Sequence, residues 1–252
     1  MKFLLTSAGI KNTSIRDALI DLLGKPIAAA SALCIPTAGY GHPQVTPGHA
    51  WRFISGREPI CPMCELGWKS LGVLELTALP SIDKKRWIAW VRETDVLLVN
   101  GGDALYLGYW MRQSGLADLL PSLRETVWVG LSAGSLVMTP RIEADFVHWT
   151  PPTGGDETLG VVDFSIFLHL DHPALPENTM ADAERWAASM SVLRTRLTTR
   201  PPSKWSTEQS KLSPKAIGNG LSQRHNIRAI FNRFLVDYEK RRAEIRHRRR
   251  HV

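Results

Sequence analysis

Residues 126–138 read Thr-Val-Trp-Val-Gly-Leu-Ser-Ala-Gly-Ser-Leu-Val-Met. Val127-Trp128-Val129 is a short, apolar, largely β-branched run of the kind that forms a buried strand. Gly130-Leu131-Ser132-Ala133-Gly134 follows without a spacer and fits G-x-S-x-G, and 135–138 then starts a helix. Strand, sharp turn and helix in that order form the setting of a nucleophile elbow, in which the turn lifts a serine hydroxyl out of the sheet. Small neighbours let a substrate carbonyl approach, and the helix N-terminus directs amide N–H groups at a developing oxyanion.

Outward from the elbow, apolar runs alternate with helical patterns. Strands are expected at 2–6, 32–36, 72–76 and 96–99, the last fully apolar. Helices are expected at 15–23, capped by Thr13 or Ser14, at 64–70, at 83–92 and at 104–113. Residues 38–60 are rich in Gly, Pro and His and read as a long loop, while 159–170 reads as a further apolar strand. The alternation implies an α/β fold with a parallel sheet covered on both faces.

In such a sheet, sites lie beyond the carboxyl ends of the strands. Two loops stand out there, Asn100-Gly101-Gly102-Asp103 and Leu131-Ser132-Ala133. Neighbouring strands would bring them together, so that the Gly102 N–H joins that of Ala133 in an oxyanion hole. A serine nucleophile needs a base, and histidine is the usual one. Of eight histidines, His42 and His49 fall in the long loop and His225, His247 and His251 in a basic tail. His148, His169 and His172 remain, with His169 near the end of the expected strand.

The 252 residues suit one large α/β domain, and a hydrophobic share of 44% is enough for a substantial core. No apolar run approaches the ~20 residues of a membrane span, and the N-terminus lacks a signal-peptide core. A soluble, cytoplasmic chain is expected. Cys61-Pro62-Met63-Cys64 is a lone C-x-x-C with no second ligand pair for zinc, and it reads as fortuitous spacing.

With both glycine loops and His169 in place, the chain resembles the peptidase E and cyanophycinase family of serine hydrolases. The residues that carry the likeness are Val99 to Leu105 (Val-Asn-Gly-Gly-Asp-Ala-Leu), Gly130 to Gly134, Asp163-Phe164 and Phe167-Leu168-His169, within residues 1–191. The resemblance implies a class I glutamine-amidotransferase-like (flavodoxin-like) α/β/α sandwich. It implies Ser132 as nucleophile, His169 as base, and Ala133 with Gly102 as oxyanion donors. Gly101 and Asp103 are expected to line the substrate site. It also implies a small-peptide substrate, in several members with an acidic residue at the amino side of the cleaved bond, and no metal or organic cofactor. Leu168 departs from the proline common before the histidine. The third triad member is open: Asp145 or Glu143 falls only approximately where one family assignment lies, and an acidic residue downstream of the histidine is the alternative.

Charge divides the chain. Residues 192–252 hold 16 Lys and Arg against 4 Asp and Glu, a net +12, whereas residues 1–191 hold 15 against 20, a net −5. Strand-like alternation also stops there. With freely chosen synonymous codons, 194–218 admits a stop-free reading in another frame that contains an alternating Val-x-Val hairpin around Asp-Gly. One insertion or deletion near codons 192–194 would account for the charge jump and the missing strands together. Residues 192–252 are then expected to be a non-native or disordered tail, with a final hairpin and an acidic triad member lost. That loss would leave a catalytically impaired amidotransferase-like protein. The other reading is a basic nucleic-acid-binding module built on Arg241, Arg242 and 246–250. Without interleaved aromatics, such binding is expected to be weak and unspecific.

Overall fold

The computed structural model describes residues 1–58, 61–142, 147–172, 175–176 and 178–197. The chain divides into two units, Met1–Ser189 and Met190–Val252, and every site residue below lies in the first. The basic tail and its alternative reading frame fall, from residue 198 on, outside the described residues, as do Glu143 and Asp145.

The apolar runs become the centre of a sheet. β4 (Val96–Val99) and β5 (Val127–Leu131) are buried at every position. β1 (Lys2–Thr6), β2 (Ser31–Ile35) and β3 (Ser70–Val73) complete five strands in the order β1-β5-β4-β2-β3, parallel at every pairing. Alternate residues of each strand point to opposite faces. Leu97, Val99 and Trp128 therefore join one apolar cluster, and Val96, Leu98, Val127 and Val129 join another.

Helices cover both clusters. On the first face lie α3 (Lys84–Arg92), α4 (Ala104–Ser114), α5 (Leu116–Leu119) and α6 (Ala133–Leu136), which supply Trp87, Val91, Leu107, Met111, Leu116 and Leu136. On the second lie α1 (Thr13–Leu23) and α2 (Pro47–Ile54), which supply Leu19 and Phe53. A further helix, α7, runs Met180–Leu197. The result is the expected three-layer α/β/α sandwich. Side chains such as Trp87 and Trp128, 1% and 0% exposed, contribute about 2–3 kcal/mol each through burial. No helix among the described residues is long and apolar enough to cross a membrane.

Local chemistry corrects several boundaries. α1 is capped by Asn12, whose Oδ1 accepts the Ile15 N–H at 2.8 Å, and not by Thr13 or Ser14, which are its first turn. The long loop contains α2, begun by Pro47 at its first position and by the Thr46 N–H donating to His49 Nδ1 at 3.1 Å. Residues 64–69 are irregular, and β3 starts at Ser70.

The stretch 159–170 forms no strand. Its amides turn to another partner: the N–H groups of Leu159, Gly160 and Val162 donate to the carbonyls of Val137, Thr139 and Met138 at 2.9, 2.9 and 3.0 Å. Its apolar side chains Leu159, Val162 and Ile166 still pack on the first cluster. Hydrophobicity placed the segment correctly against the core, but it could not choose the hydrogen-bond partner.

Candidate active site

The elbow forms because two backbones meet there at close range. A Cβ on Gly130 would lie 2.4 Å from the Gly134 carbonyl oxygen, and one on Gly134 would lie 2.5 Å from that of Val99. Both outer positions of G-x-S-x-G therefore have to be glycine for α6 to start directly over β4 and β5. The turn residue between them, Ser132, takes φ 49 and ψ −111, a conformation non-glycine residues rarely adopt. The strain is held by neighbours. The Ser132 N–H donates to Thr6 O at 3.0 Å, and Trp128 Nε1 donates to Gly134 O at 2.8 Å.

Thr6 and Ser135 complete the clamp. Ser135 Oγ accepts the Thr6 N–H and lies 2.9 Å from both Thr6 O and Gly130 O, while Thr6 Oγ1 donates to Gly130 O at 2.8 Å. Both residues are buried. The sequence reading missed them because a strand-terminal threonine and a first-turn serine look like ordinary helix-start chemistry. Their pairing spans 129 residues.

Of the three candidate histidines, the fold brings His169 to the serine: Ser132 Oγ and His169 Nε2 are 2.9 Å apart. His148 lies elsewhere, its ring edge-on to His42 with centroids 4.4 Å apart. His172 lies beside His169, centroids 6.0 Å apart. The segment that presents His169 is irregular. His169 and Asp171 hold φ of 58 and 52, and the bends are fixed by one distant partner and one nearby. The His169 N–H reaches Ser7 Oγ at 3.4 Å. Asn178, buried, donates from Nδ2 to Leu168 O at 3.1 Å and accepts the Asp171 N–H on its own carbonyl at 2.7 Å. Phe167 stacks edge-on against Trp186 of α7.

Burial pushes the His169 imidazole below its ordinary value, with the nearby His172 and Lys11 adding to the shift. Near neutral pH the ring is therefore uncharged and able to accept the Ser132 proton. Among the described residues, no carboxylate hydrogen-bonds His169, and none contributes to that shift. Asp145, the sequence candidate for that role, lies outside them.

The two glycine loops meet as expected, because β4 and β5 are neighbours. A Cβ on Gly101 would lie 3.2 Å from Ser132 Cβ. Gly102 has φ 140, and a side chain there would overlap the Ala38 carbonyl, so only glycine lets this loop pass beneath the loop after β2. Among the described residues, neither the Gly102 nor the Ala133 N–H is given to a protein acceptor. The Gly101 N–H is taken by Asn100 Oδ1 at 2.9 Å.

Asp103 corrects the sequence expectation. It is fully buried, and its carboxylate is spent on backbone: Oδ1 accepts the Tyr106 N–H at the head of α4, and Oδ2 accepts those of His148 and Trp149 at 2.8 and 2.9 Å. Asp103 caps a helix and pins a loop, and it does not line the cleft.

That cleft, about 230 Å³, is lined by Ser7, Ala8 and Lys11 from the segment after β1, by Gly101, by Leu131 and Ser132, and by Cys61, His169 and His172. Ser7 and Lys11 escaped the sequence reading, although residues just past a strand's carboxyl end were the place to look. The cysteine motif separates: Cys61 faces the cleft, whereas buried Cys64 pairs its thiol with Cys34, which holds the Cys64 thiol well above its ordinary value. Among the described residues, no group of three His, Cys, Asp or Glu side chains is placed to hold a metal ion.

The sequence model of peptidase family S51 matches residues 3–196, a span that includes the elbow and His169. Among solved structures, a putative peptidase E protein from Listeria monocytogenes EGD-e has a TM-score of 0.51 at 19% identity, covering 73% of this chain and 87% of that one. A peptidase from an acI-B1 actinobacterium has a TM-score of 0.48 at 17% identity, covering 64% of each chain. At such identity the first likeness bears on the fold alone. No curated protein matches the chain.

Proposed function

The chain belongs to peptidase family S51 and is a serine-type peptidase; on that premise we propose that it hydrolyses dipeptide-sized substrates on the carboxyl side of an acidic residue. The observation that carries the reading is the 2.9 Å approach of Ser132 Oγ to His169 Nε2 on a strained strand-to-helix turn. Ser132 Oγ attacks the scissile carbonyl carbon while its proton passes to His169 Nε2. The oxyanion so formed accepts the N–H groups of Ala133 and Gly102. His169 returns the proton to the leaving amine, and water, deprotonated by the same ring, then releases the acyl group.

Two features support the finer substrate reading. The cleft is smaller than the ~300 Å³ at which sites for drug-sized ligands begin, which favours short peptides. Among the described residues its lining carries a lysine and no carboxylate, which favours an anionic substrate. The test is hydrolysis of Asp-Leu and related dipeptides by the full chain and by Ser132→Ala. Turnover lost in the variant is the expected result, and equal rates in both would end the assignment.

A second reading has its own observation. His169 has no carboxylate partner among the described residues, as in a catalytically impaired member of the family. A protein that binds Asp-X peptides and melts cooperatively, yet does not turn them over, would favour it.

A further inference from the structure

Among the described residues, the charge of the cleft is one-sided: its lining holds Lys11, two histidines and no acidic side chain. Lys11 directly precedes Asn12, the N-cap of α1, and the backbone beside it is anchored by the Ile10 N–H donating to Pro62 O at 2.9 Å. Its own side chain is exposed and takes part in none of the ion pairs among the described residues. A cation at the head of a helix opposes the helix dipole, and the first turn of α1 has no acidic residue to offset it. The fold gains nothing visible from a lysine here. The ammonium is nevertheless close enough to Ser132's partner for its field to reach both His169 and Cys61.

We infer that Lys11 is a specificity-determining residue, whose ammonium receives a carboxylate of the peptide bound at Ser132. The inference rests on the peptidase reading of that site and adds the group that selects the substrate. A small peptide offers two such carboxylates, an acidic side chain and the free C-terminus. An ammonium–carboxylate contact is a charge-assisted hydrogen bond, among the stronger polar interactions.

The experiment uses the full chain as wild type, Lys11→Met and Lys11→Arg. Three substrates separate the sources: Asp-Leu, Asn-Leu and the C-terminal amide of Asp-Leu. The expected result is a fall in kcat/KM of about tenfold or more for Lys11→Met on Asp-Leu, with a change under about threefold on whichever analogue lacks the recognised carboxylate, and rescue by Lys11→Arg. Loss of discrimination against Asn-Leu names the side chain, and loss of discrimination against the amide names the C-terminus. A Lys11→Met enzyme that keeps both preferences overturns the inference.

If wild type hydrolyses none of the three, the peptidase reading fails, and binding decides Lys11 separately. Succinate is titrated calorimetrically into Ser132→Ala and into Ser132→Ala/Lys11→Met, with succinamide as the neutral control. Binding that needs Lys11 supports the inference. Equal binding in the two proteins, or binding in neither, overturns it.

Discussion

The serine and the histidine of the cleft are held in opposite ways. Ser132 sits between two backbones that touch, on a turn begun by a buried strand and ended by a helix, with Gly130 and Gly134 making the approach possible. His169 sits in an irregular segment at a positive φ, held by Ser7 from near the start of the chain and by Asn178 from just beyond the segment. The first arrangement is part of the core, so it cannot be altered without disturbing the fold. The second is tied on by a few hydrogen bonds, so its position can be altered while the core stays intact. Motif and core coincide in one loop, whereas position and stability separate in the other.

The largest effects should come from the two reacting groups themselves. Ser132→Ala and His169→Gln should each lower kcat by about 10⁴-fold or more, and the double variant should be no worse than either alone, because nucleophile and base act as one unit. Single-turnover assays check this. Independent, multiplying losses would mean that the 2.9 Å contact is not the working one.

Next in size is the core-bound loop. Gly130→Ala forces a methyl group against the Gly134 carbonyl, with backbone on both sides. It should cost about 3 kcal/mol, or about 10 °C in Tm, measured by calorimetry. An unchanged Tm would remove the contrast drawn between the loops.

Asn178→Ala should do the reverse. Losing one buried amide-to-carbonyl hydrogen bond costs about 1–2 kcal/mol, less than Gly130→Ala. The loosened histidine should lower kcat by about 10- to 100-fold with KM little changed. If Tm falls as far as in Gly130→Ala while kcat holds, Asn178 supports the fold and not the ring.

The smallest effect is a displacement in pH. His169 is a base only when neutral, and burial, His172 and Lys11 keep its pKa below the ordinary 6.5. Since the neutral form predominates above the pKa, activity should be lost as pH falls through a midpoint below 6.5. Lys11→Met removes one cause of the depression, so the acid limb of kcat/KM should move to higher pH. A limb that stays in place would mean that Lys11 does not act on the ring.

The same contrast explains what could be read in advance. β4, β5 and the elbow were legible because their signals are local: a continuous apolar run, two glycines at fixed spacing, and a helix starting at once. His169 was legible as a candidate but not as a conformation. The segment 159–170 has the apolar content of a strand, and only the carbonyls of 137–139 took its amides elsewhere. Asp103 misled for the opposite reason, since an aspartate after a glycine pair looks available to a ligand. Its three backbone donors, two of them some 45 residues away, carry no mark in the sequence.

From residue order alone, then, came the parallel α/β class, the two-faced burial of the central strands and the turn that exposes Ser132. These depend on periodicity and on steric limits acting over a few residues. Folding in three dimensions chose His169 over His148, brought Lys11 and Ser7 to the serine, turned Asp103 inward and separated Cys61 from Cys64. Each of those outcomes depends on contacts between segments far apart in the chain, where the partner of a hydrogen bond or the sign of a neighbouring charge is set by packing.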